Sequence, residues 1–266
     1  MKNENVNKKV LEHLEDFVTK YPKIEYVGMF LQGSQNYGLD YESSDVDTKI
    51  IVLPSFEDFI RVKSPISHTF VRDNNEHIDL KDIRNIVEVI KKQNINFVEI
   101  LFTDYSVLNP KYEAIFKKLI DNRERIARYN VYGAISCMVG MSLEKYKAME
   151  HPYPSVAPKI EKFGYDAKQL HHIIRMREFI ERYIDGESYK DCLQSNQREY
   201  LIEVKKGFYS LQEARNIAEN MTKEIREIRD KYMNENPNNI DHDVEMIMNE
   251  VVVDILKLYF REQLLK

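Results

Sequence analysis

The chain has 266 residues, of which 43% are hydrophobic and 31% are charged, and its net charge is -5 at pH 7. These values are typical of a folded protein with one or two domains, and they argue against a protein that coats nucleic acid non-specifically. No stretch approaches about 18 uncharged apolar residues, and the start of the chain lacks the apolar segment of a secretory signal. We therefore expect a cytoplasmic protein with no membrane span.

The first part of the chain predicts a small domain of strands and helices. An amphipathic helix is predicted over residues 3–20, where Val6, Val10, Leu14, Phe17 and Val18 follow a helical period. Apolar runs predict strands over 26–32 and 46–53, the second of which stops before Pro54. Two more strands, in ISHTFVR and EHIDLK, flank the turn sequence DNN at 73–75.

From about residue 82 onward the pattern is helical, and after residue 125 it predicts helices only. Four long segments have helical spacing, at 131–149, 165–184, 210–233 and 243–265. Two cysteines, Cys137 and Cys192, lie far apart in the sequence and are expected to be reduced. We expect a first domain over 1–125 and an all-helical domain over 126–266, with a ligand cleft between them.

The stretch GSQNYGLDYESSDVDTKIIV, residues 33–52, carries the strongest chemical signal. Asp45 and Asp47 are two residues apart, so they share one face of a strand and repel each other unless a cation lies between them. Their carboxylates are hard oxygen ligands suited to Mg²⁺. Gly33 lets backbone amides approach an anion, and Ser34 is predicted to cap a helix start that favours phosphate. The alternative is a pair of solvated acids in a turn before a strand.

A family resemblance supports the metal and phosphate interpretation. The pair GS followed after ten residues by DVD resembles the signature of the polymerase-beta superfamily of nucleotidyltransferases. The longer stretch GSQNYGLDYESSDVD resembles the predicted nucleotidyltransferases associated with RNA ligases. Segments 80–102, 163–187 and 204–221 resemble stretches of the same family in the same order. The resemblance implies an α+β fold, with a small mixed sheet and flanking helices followed by a helical domain that closes the nucleotide cleft.

The resemblance also implies two Mg²⁺ ions, with Mn²⁺ as the alternative, held by three acids. Asp45 and Asp47 match the first two acids, and the third comes from a later strand. The candidates are Glu76, Asp79 and Asp82. Asp82 is expected to cap the following helix, and Glu76 lies next to the turn. Asp79 is in mid-strand, where it can face the same side as the pair, so we assign Asp79 as the third ligand.

A basic stripe on the later helix completes the predicted nucleotide site. Lys168, His172 and Arg175 are spaced i, i+4 and i+7, and they match the K…H..R pattern of the family. The pattern predicts a cationic wall that grips the phosphates, and the alternative is a solvated helix face. His171 lies outside the pattern. Tyr37 belongs to the YG stretch of the family, and it is predicted either to contact the nucleotide or to pack in the core.

The implied reaction is nucleotidyl transfer, in which an acceptor hydroxyl attacks the α-phosphorus of a nucleoside triphosphate and pyrophosphate leaves. ATP is the expected nucleotide, and an RNA end is the expected acceptor, in RNA repair. The alternatives are a protein or small-molecule acceptor, or a catalytically silent nucleotide-binding regulator. The sequence indicates no oligomeric state. The motif DHD at 241–243 is expected to cap a helix rather than to bind a metal.

Overall fold

The computed structural model describes residues 2–41, 44–154 and 156–265. Over these residues the chain combines one five-stranded sheet with α-helices and two short 3-10 helices, which confirms the predicted α+β class. The strands are β1 (Tyr26–Gln32), β2 (Asp47–Val52), β3 (Ser67–Val71), β4 (His77–Asp82) and β5 (Ser106–Leu108). The helices are α1 (Lys2–Lys20), α2 (Phe56–Ile60), α3 (Ile86–Lys91), α4 (Ile95–Val98), α5 (Pro110–Asp121), α6 (Arg123–Ala127), α7 (Val131–Ala148), α8 (Ala157–Phe163), α9 (Ala167–Ile184), α10 (Tyr189–Leu193), α11 (Arg198–Lys205), α12 (Leu211–Glu235) and α13 (His242–Leu264).

The sheet is mixed, with the strand order β3-β4-β2-β1-β5. Strands β2 and β4 run parallel, and every other neighbouring pair is antiparallel. The four predicted strands are confirmed, and Asn75 takes the positive φ of 65° that the predicted turn before β4 requires. Strand β5 was not predicted, because three residues are too few to show an alternating pattern.

Helix α1 packs its apolar face on the sheet. Four of its five predicted core positions are buried against strand residues such as Met29, Ile50 and Leu80. The fifth, Val18, is 46% exposed, which corrects the prediction. Val18 directly follows the buried Phe17, and one residue turns a helix by about 100°, which points Val18 away from the sheet.

Packing groups the chain into two compact units. The first unit consists of Met1–Asn36, Glu42–Tyr129 and Asp241–Lys266, and the second consists of Tyr37–Tyr41 and Asn130–Ile240. Helix α13 therefore packs with the first unit, on α5 and α3, whereas the sequence places it in the second domain. The predicted domain division at residue 125 stays a prediction.

The second unit is built from helices. Helices α7, α9 and α12 pack on one another, and α11 packs on α9. Side chains such as Leu170, Phe179 and Ile225 are fully buried in this unit. Among the helices that the structure describes, none combines the length and the apolar character needed to cross a membrane.

Candidate functional site

The two halves of the Gly-Ser…Asp-x-Asp motif meet at one edge of the sheet. Strands β1 and β2 pair antiparallel, with Gln32 opposite Asp47. Gly33, which follows β1, and Asp45, which precedes β2, are therefore brought together although twelve positions separate them. The side chain of Gln35 strengthens this arrangement, because its Nε2 donates a hydrogen bond of 2.8 Å to the Asp45 carbonyl.

A tight turn follows β1. Gly33 has a φ of +90°, and an added Cβ would meet nothing within 4 Å, so the backbone angle and not a lack of space favours glycine here. The Asn36 amide donates to the Gly33 carbonyl at 3.0 Å, and successive turns run through residue 38. Ser34 lies in these turns and caps no helix, so the predicted helix start is wrong. The positive φ of Gly33 and the hydrogen bonds of Asn36 stabilise turns where the helix start was predicted.

A buried carboxylate from a distant segment holds this turn. Glu99 is 1% exposed, and its Oε2 accepts from the Gly33 amide at 3.4 Å and from Asn36 Nδ2 at 3.3 Å. Thr103 Oγ1 in turn donates to Asn36 Oδ1 at 2.8 Å. Glu99 was not predicted, since nothing in the sequence pairs Glu99 with Gly33. The Gly33 amide thus faces a carboxylate, and the Ser34 hydroxyl has no bonding partner within the described part of the chain.

Asp45 and Asp47 differ in their environment. Asp45 is exposed, and its carboxylate makes no hydrogen bond or ion pair to any described residue. Asp47 Oδ1 accepts from the His77 amide at 2.8 Å and lies 3.4 Å from His77 Nδ1, and the side chain is 33% exposed. The Asp45 carboxylate and Asp47 Oδ2 are therefore open to a ligand.

Asp79 lies on the predicted face but is ion-paired. In the parallel pair of β2 and β4, Lys49 is opposite Asp79, so Asp79 shares a face with Asp47, two residues along from Lys49. This part of the prediction is confirmed. The Asp79 carboxylate binds Lys49 Nζ at 2.8 Å and Lys81 Nζ at 3.2 Å. Lys49 is itself buried, with Nζ 4.2 Å from the centre of the Phe97 ring.

The other two candidate acids have structural roles. Asp82 caps the 3-10 helix Ile83–Asn85 by accepting from the Arg84 amide at 3.0 Å, as predicted. Glu76 is buried and accepts from Lys9, His13, Arg72 and Asn74, and from the Val46 amide. Burial raises the pKa of Glu76, but these hydrogen bonds outweigh it and lower the pKa to about 2. Glu76 thus ties α1 to the sheet.

The partner of Glu76 on α1 is a buried histidine. Burial lowers the pKa of His13, so the ring is neutral at pH 7. Its Nε2 lies 3.1 Å from Glu76, which as a carboxylate only accepts, so Nε2 carries the proton. Nδ1 then accepts from the Thr48 hydroxyl at 2.9 Å. The network links α1, β2 and the residue before β4.

The fit of these acids to a divalent cation is partial. Across residues 2–41, 44–154 and 156–265, no cluster of three or more His, Cys, Asp or Glu side chains is arranged to hold a metal ion. Asp45 and Asp47 offer two open oxygen donors of the type that Mg²⁺ prefers. Asp79 offers a third donor only when it leaves its lysines. The residues fit a two-carboxylate site, and a third ligand stays a prediction.

In the second unit, the predicted basic stripe lies on α9. Asp166 begins this helix by accepting from the Lys168 amide at 3.1 Å. Arg175 is 4% exposed, and its guanidinium lies 3.6 Å from the centre of the Tyr37 ring. Arg175 Nε and Nη1 are buried without a hydrogen-bond partner among the described residues. Tyr37 is thus buried and also contacts a predicted phosphate-binding residue.

The two histidines of α9 are neutral. Burial, His171 and the nearby cations lower the pKa of His172 well below its ordinary value. His172 therefore adds no charge at pH 7, which corrects its place in a cationic wall. Burial lowers the pKa of His171 to about 4, and its Nδ1 donates to the Leu201 carbonyl at 2.9 Å. His171 packs between α9 and α11.

Lys145 on α7 is a cation that the sequence analysis missed. Burial lowers its pKa, and the positive charges of Lys168 and Arg175 lower it further. No spacing along the sequence links Lys145 to α9, because the packing of α7 on α9 brings them together. By contrast, the DHD motif behaves as predicted, since Asp241 Oδ1 accepts from the Val244 amide at 3.0 Å and caps α13.

Comparison with known proteins gives a family and distantly similar solved structures. No curated protein matches the chain significantly. A crystal structure of a nucleotidyltransferase-like protein from Exiguobacterium sibiricum 255-15 is similar, with 12% sequence identity and a TM-score of 0.31, over 96% of this chain and 91% of that chain. The sequence profile of RlaP, described as the RNA repair pathway DNA polymerase beta family, matches residues 6–214. Because this match covers more than half of the chain and agrees with the motif at 33–47, the chain belongs to the RNA repair pathway DNA polymerase beta family.

Proposed function

We propose that the protein transfers a nucleoside monophosphate from a nucleoside triphosphate, with ATP expected, to the hydroxyl of an RNA end. The observation that carries the proposal is the pairing of Gln32 with Asp47. It brings the Gly-Ser turn and the two aspartates of the motif to one edge of the sheet. Membership of a family described by RNA repair supports RNA as the acceptor.

Asp45 and Asp47 are the proposed ligands of Mg²⁺. The Asp45 carboxylate is exposed. The His77 amide donates to Oδ1 of Asp47 and leaves Oδ2 open to a ligand. Two bound ions would stabilise the charge on the phosphoryl oxygens and lower the pKa of the acceptor hydroxyl. Without a cation the two aspartates repel each other, so binding also relieves that repulsion.

Asp79 is the proposed third carboxylate. It lies on the face of Asp47, but its ion pairs with Lys49 and Lys81 must break before it contacts a metal or an acceptor. Asp79 therefore contacts the metal or the acceptor after Asp45 and Asp47 have bound the metal. It holds Lys49 in the unliganded protein and exchanges that partner when the site is filled.

Phosphate binding is assigned to the turn and to α9. The Ser34 hydroxyl is the proposed donor in the turn, and Gly33 sets the backbone angle that places it. Lys168 and Arg175 are the proposed cationic donors, and Arg175 has two unpaired nitrogens. The neutral His172 is proposed to donate a hydrogen bond rather than to supply charge. The Tyr37 ring, stacked on Arg175, fixes the plane of the guanidinium.

The test is a transfer assay with each labelled nucleoside triphosphate, Mg²⁺, and a panel of RNA, protein and small-molecule acceptors. We expect labelled RNA and an equal amount of pyrophosphate, and loss of both with Asp47→Asn. Asp73→Asn is the matched control, because Asp73 is an exposed acid in the turn before β4. Pyrophosphate released without a labelled acceptor would show that the protein only hydrolyses the triphosphate. Label on a protein or a small molecule instead of RNA would show that RNA is not the acceptor.

A further inference from the structure

The exposed face of helix α13 carries an apolar groove. The groove has a volume of about 550 Å³, and it lies between the second half of α13 and Phe59 of α2. Four of the side chains that line it are between 39% and 78% exposed, namely Phe59, Val253, Leu264 and Leu265. A fifth, Phe260, has its ring centre 5.1 Å from that of Phe59. Apolar side chains exposed together in one groove are typical of a surface that binds another protein.

Two charges of opposite sign flank Val253 on this face. Glu250, in the first half of α13, is exposed and has no ion-pair partner among the described residues. Lys257, in the second half, lines the groove and lies 4.0 Å from Asp254, which is too far for a close ion pair. The dipole of a helix favours acids in the first turn and bases in the last turn. Glu250 and Lys257 lie about two turns inside the ends of α13, so the dipole does not account for their positions.

Glu250 and Lys257 are placed almost symmetrically about Val253. They are seven residues apart, so they lie on the same side of the helix, about 10 Å from each other. When two copies of α13 pack antiparallel with a twofold axis beside Val253, each Glu250 lies opposite the Lys257 of the other copy. Parallel packing would place like charges opposite each other. The same twofold axis brings the first half of one helix onto the groove of the other, so one axis both pairs the charges and covers both grooves.

We infer that the protein forms a homodimer through α13, with the two helices antiparallel. The contact is isologous, because the same surface of each copy contributes and every contact is made twice. A second copy is favoured over a different protein because the charges of α13 are complementary to α13 itself. The buried surface is limited to one helix face and one groove, so we expect a dissociation constant of about 1–100 µM. The inference goes beyond nucleotidyl transfer and does not depend on it.

The test is sedimentation equilibrium of the full chain, over concentrations that bracket the expected dissociation constant. We expect the unaltered protein to approach twice the monomer mass. Glu250→Lys and Lys257→Glu should each weaken the dimer about tenfold or more, because two attractive pairs become two repulsive pairs. The double variant Glu250→Lys/Lys257→Glu should restore the dimer, and an equal mixture of the two single variants should form a heterodimer. The control is Glu219→Lys, at an exposed acid on α12, which changes the net charge as Glu250→Lys does.

Three results would overturn the inference: a monomer at every concentration, a dimer that both single variants leave unchanged, or a double variant that dimerises as weakly as the single ones. The first would leave the groove to a different protein, and the second would assign the dimer to another surface. Because Glu250 and Lys257 are both exposed, we expect every variant to fold like the unaltered protein. Thermal unfolding at low concentration checks this, and the double variant keeps the test valid if one single variant is unstable.

Discussion

Arg175 combines three features at the scale of a single residue. It is almost completely buried, its guanidinium stacks on Tyr37, and two of its nitrogens have no hydrogen-bond partner in the described residues. The stacking recovers part of the free energy lost on burial, at about 0.5–2 kcal/mol. The unpaired N–H groups still cost free energy in the unliganded protein. An anionic ligand would satisfy them, which makes Arg175 the most informative position on α9 to alter.

Arg175→Ala should weaken triphosphate binding about ten- to a hundredfold, because charge-assisted hydrogen bonds contribute about 1.5–3 kcal/mol. Arg175→Lys should recover only part of this, since lysine lacks the planar fork. The measurement is triphosphate affinity with Mg²⁺ present. The control is Arg226→Ala, an exposed arginine on α12. Equal affinities for Arg175→Ala and Arg226→Ala would mean that Arg175 only packs.

Asp79 requires a test that separates stability from chemistry. Asp79→Asn leaves the buried Lys49 without a carboxylate and should lower the free energy of unfolding by about 3 kcal/mol. Asp45→Asn should change it by no more than about 0.5 kcal/mol, since Asp45 is exposed, and should abolish transfer. Urea unfolding and the transfer assay measure the two effects.

The double variant Lys49→Met/Asp79→Asn decides the role of Asp79. It removes the unpaired lysine and should recover most of the stability. If transfer stays lost, Asp79 takes part in the reaction. Transfer restored together with stability would limit Asp79 to holding Lys49.

Local patterns allowed some of these residues to be predicted. Asp82 and Asp241 stand directly before helical segments, so capping could be read from position alone. Glu99 and Lys145 could not be found in this way. Each acts across a separation of tens of residues, and only tertiary packing pairs Glu99 with Gly33, or Lys145 with α9.

At the scale of elements, a polar network joins α1 to the sheet next to the Asp-x-Asp motif. Glu76 binds Lys9 and His13 of α1 as well as the Val46 amide, and Val46 lies between Asp45 and Asp47. The network therefore also fixes the backbone that carries the two aspartates. The amphipathic period of α1 predicted that the helix would pack, but His13 and Glu76 gave no periodic signal of their own.

Glu76→Gln should lower the free energy of unfolding by about 3 kcal/mol at pH 7, because the buried carboxylate loses its charge-assisted bonds to the half-buried Lys9 and Arg72. The pKa of Glu76 is lower in the folded protein, so Glu76 stabilises the fold above its ordinary pKa of 4.5, and this contribution is lost as pH falls toward about 2. His13, whose pKa is also lowered, contributes above 6.5 and loses its contribution as pH falls.

Unfolding by urea between pH 7 and pH 2 checks this expectation. The difference between the unaltered protein and Glu76→Gln should shrink through the window from about 4.5 to about 2. Glu15→Gln serves as the control, since Glu15 is an exposed acid on α1, the helix that Glu76 binds. A difference that stays constant with pH would show that folding does not lower the pKa of Glu76.

At the scale of the whole molecule, the first unit is discontinuous in sequence. Helix α13 is joined to it by Lys91–Glu245 at 2.7 Å and Arg125–Asp241 at 2.8 Å, and by buried apolar residues such as Ile255. The sequence predicted α13 as a helix but not its place, since helical spacing shows that a face is apolar without showing what covers it.

Ile255→Ala should destabilise the first unit by about 3 kcal/mol, because Ile255 is fully buried. Hydrogen exchange should therefore accelerate about a hundredfold in α3 and α5, with little change in α9 and α12. Met246→Ala, at a 58% exposed position of the same helix, is the control. Equal acceleration in all four helices would mean that the two units unfold as one.

The place of α13 has a consequence for synthesis on the ribosome. Residues 130–240 emerge after Tyr37–Tyr41, so every segment of the second unit is available before α13 has been translated. The sheet and α1 have been made by then, but the apolar faces of α5 and α3 still lack their cover. At a synthesis rate of about 5–20 residues per second, these apolar faces stay uncovered for seconds before α13 is made. All segments of the helical unit are therefore synthesised before the last segment of the α/β unit. The α/β unit is the first to begin synthesis, and its last helix, α13, is the last segment of the two units to be made.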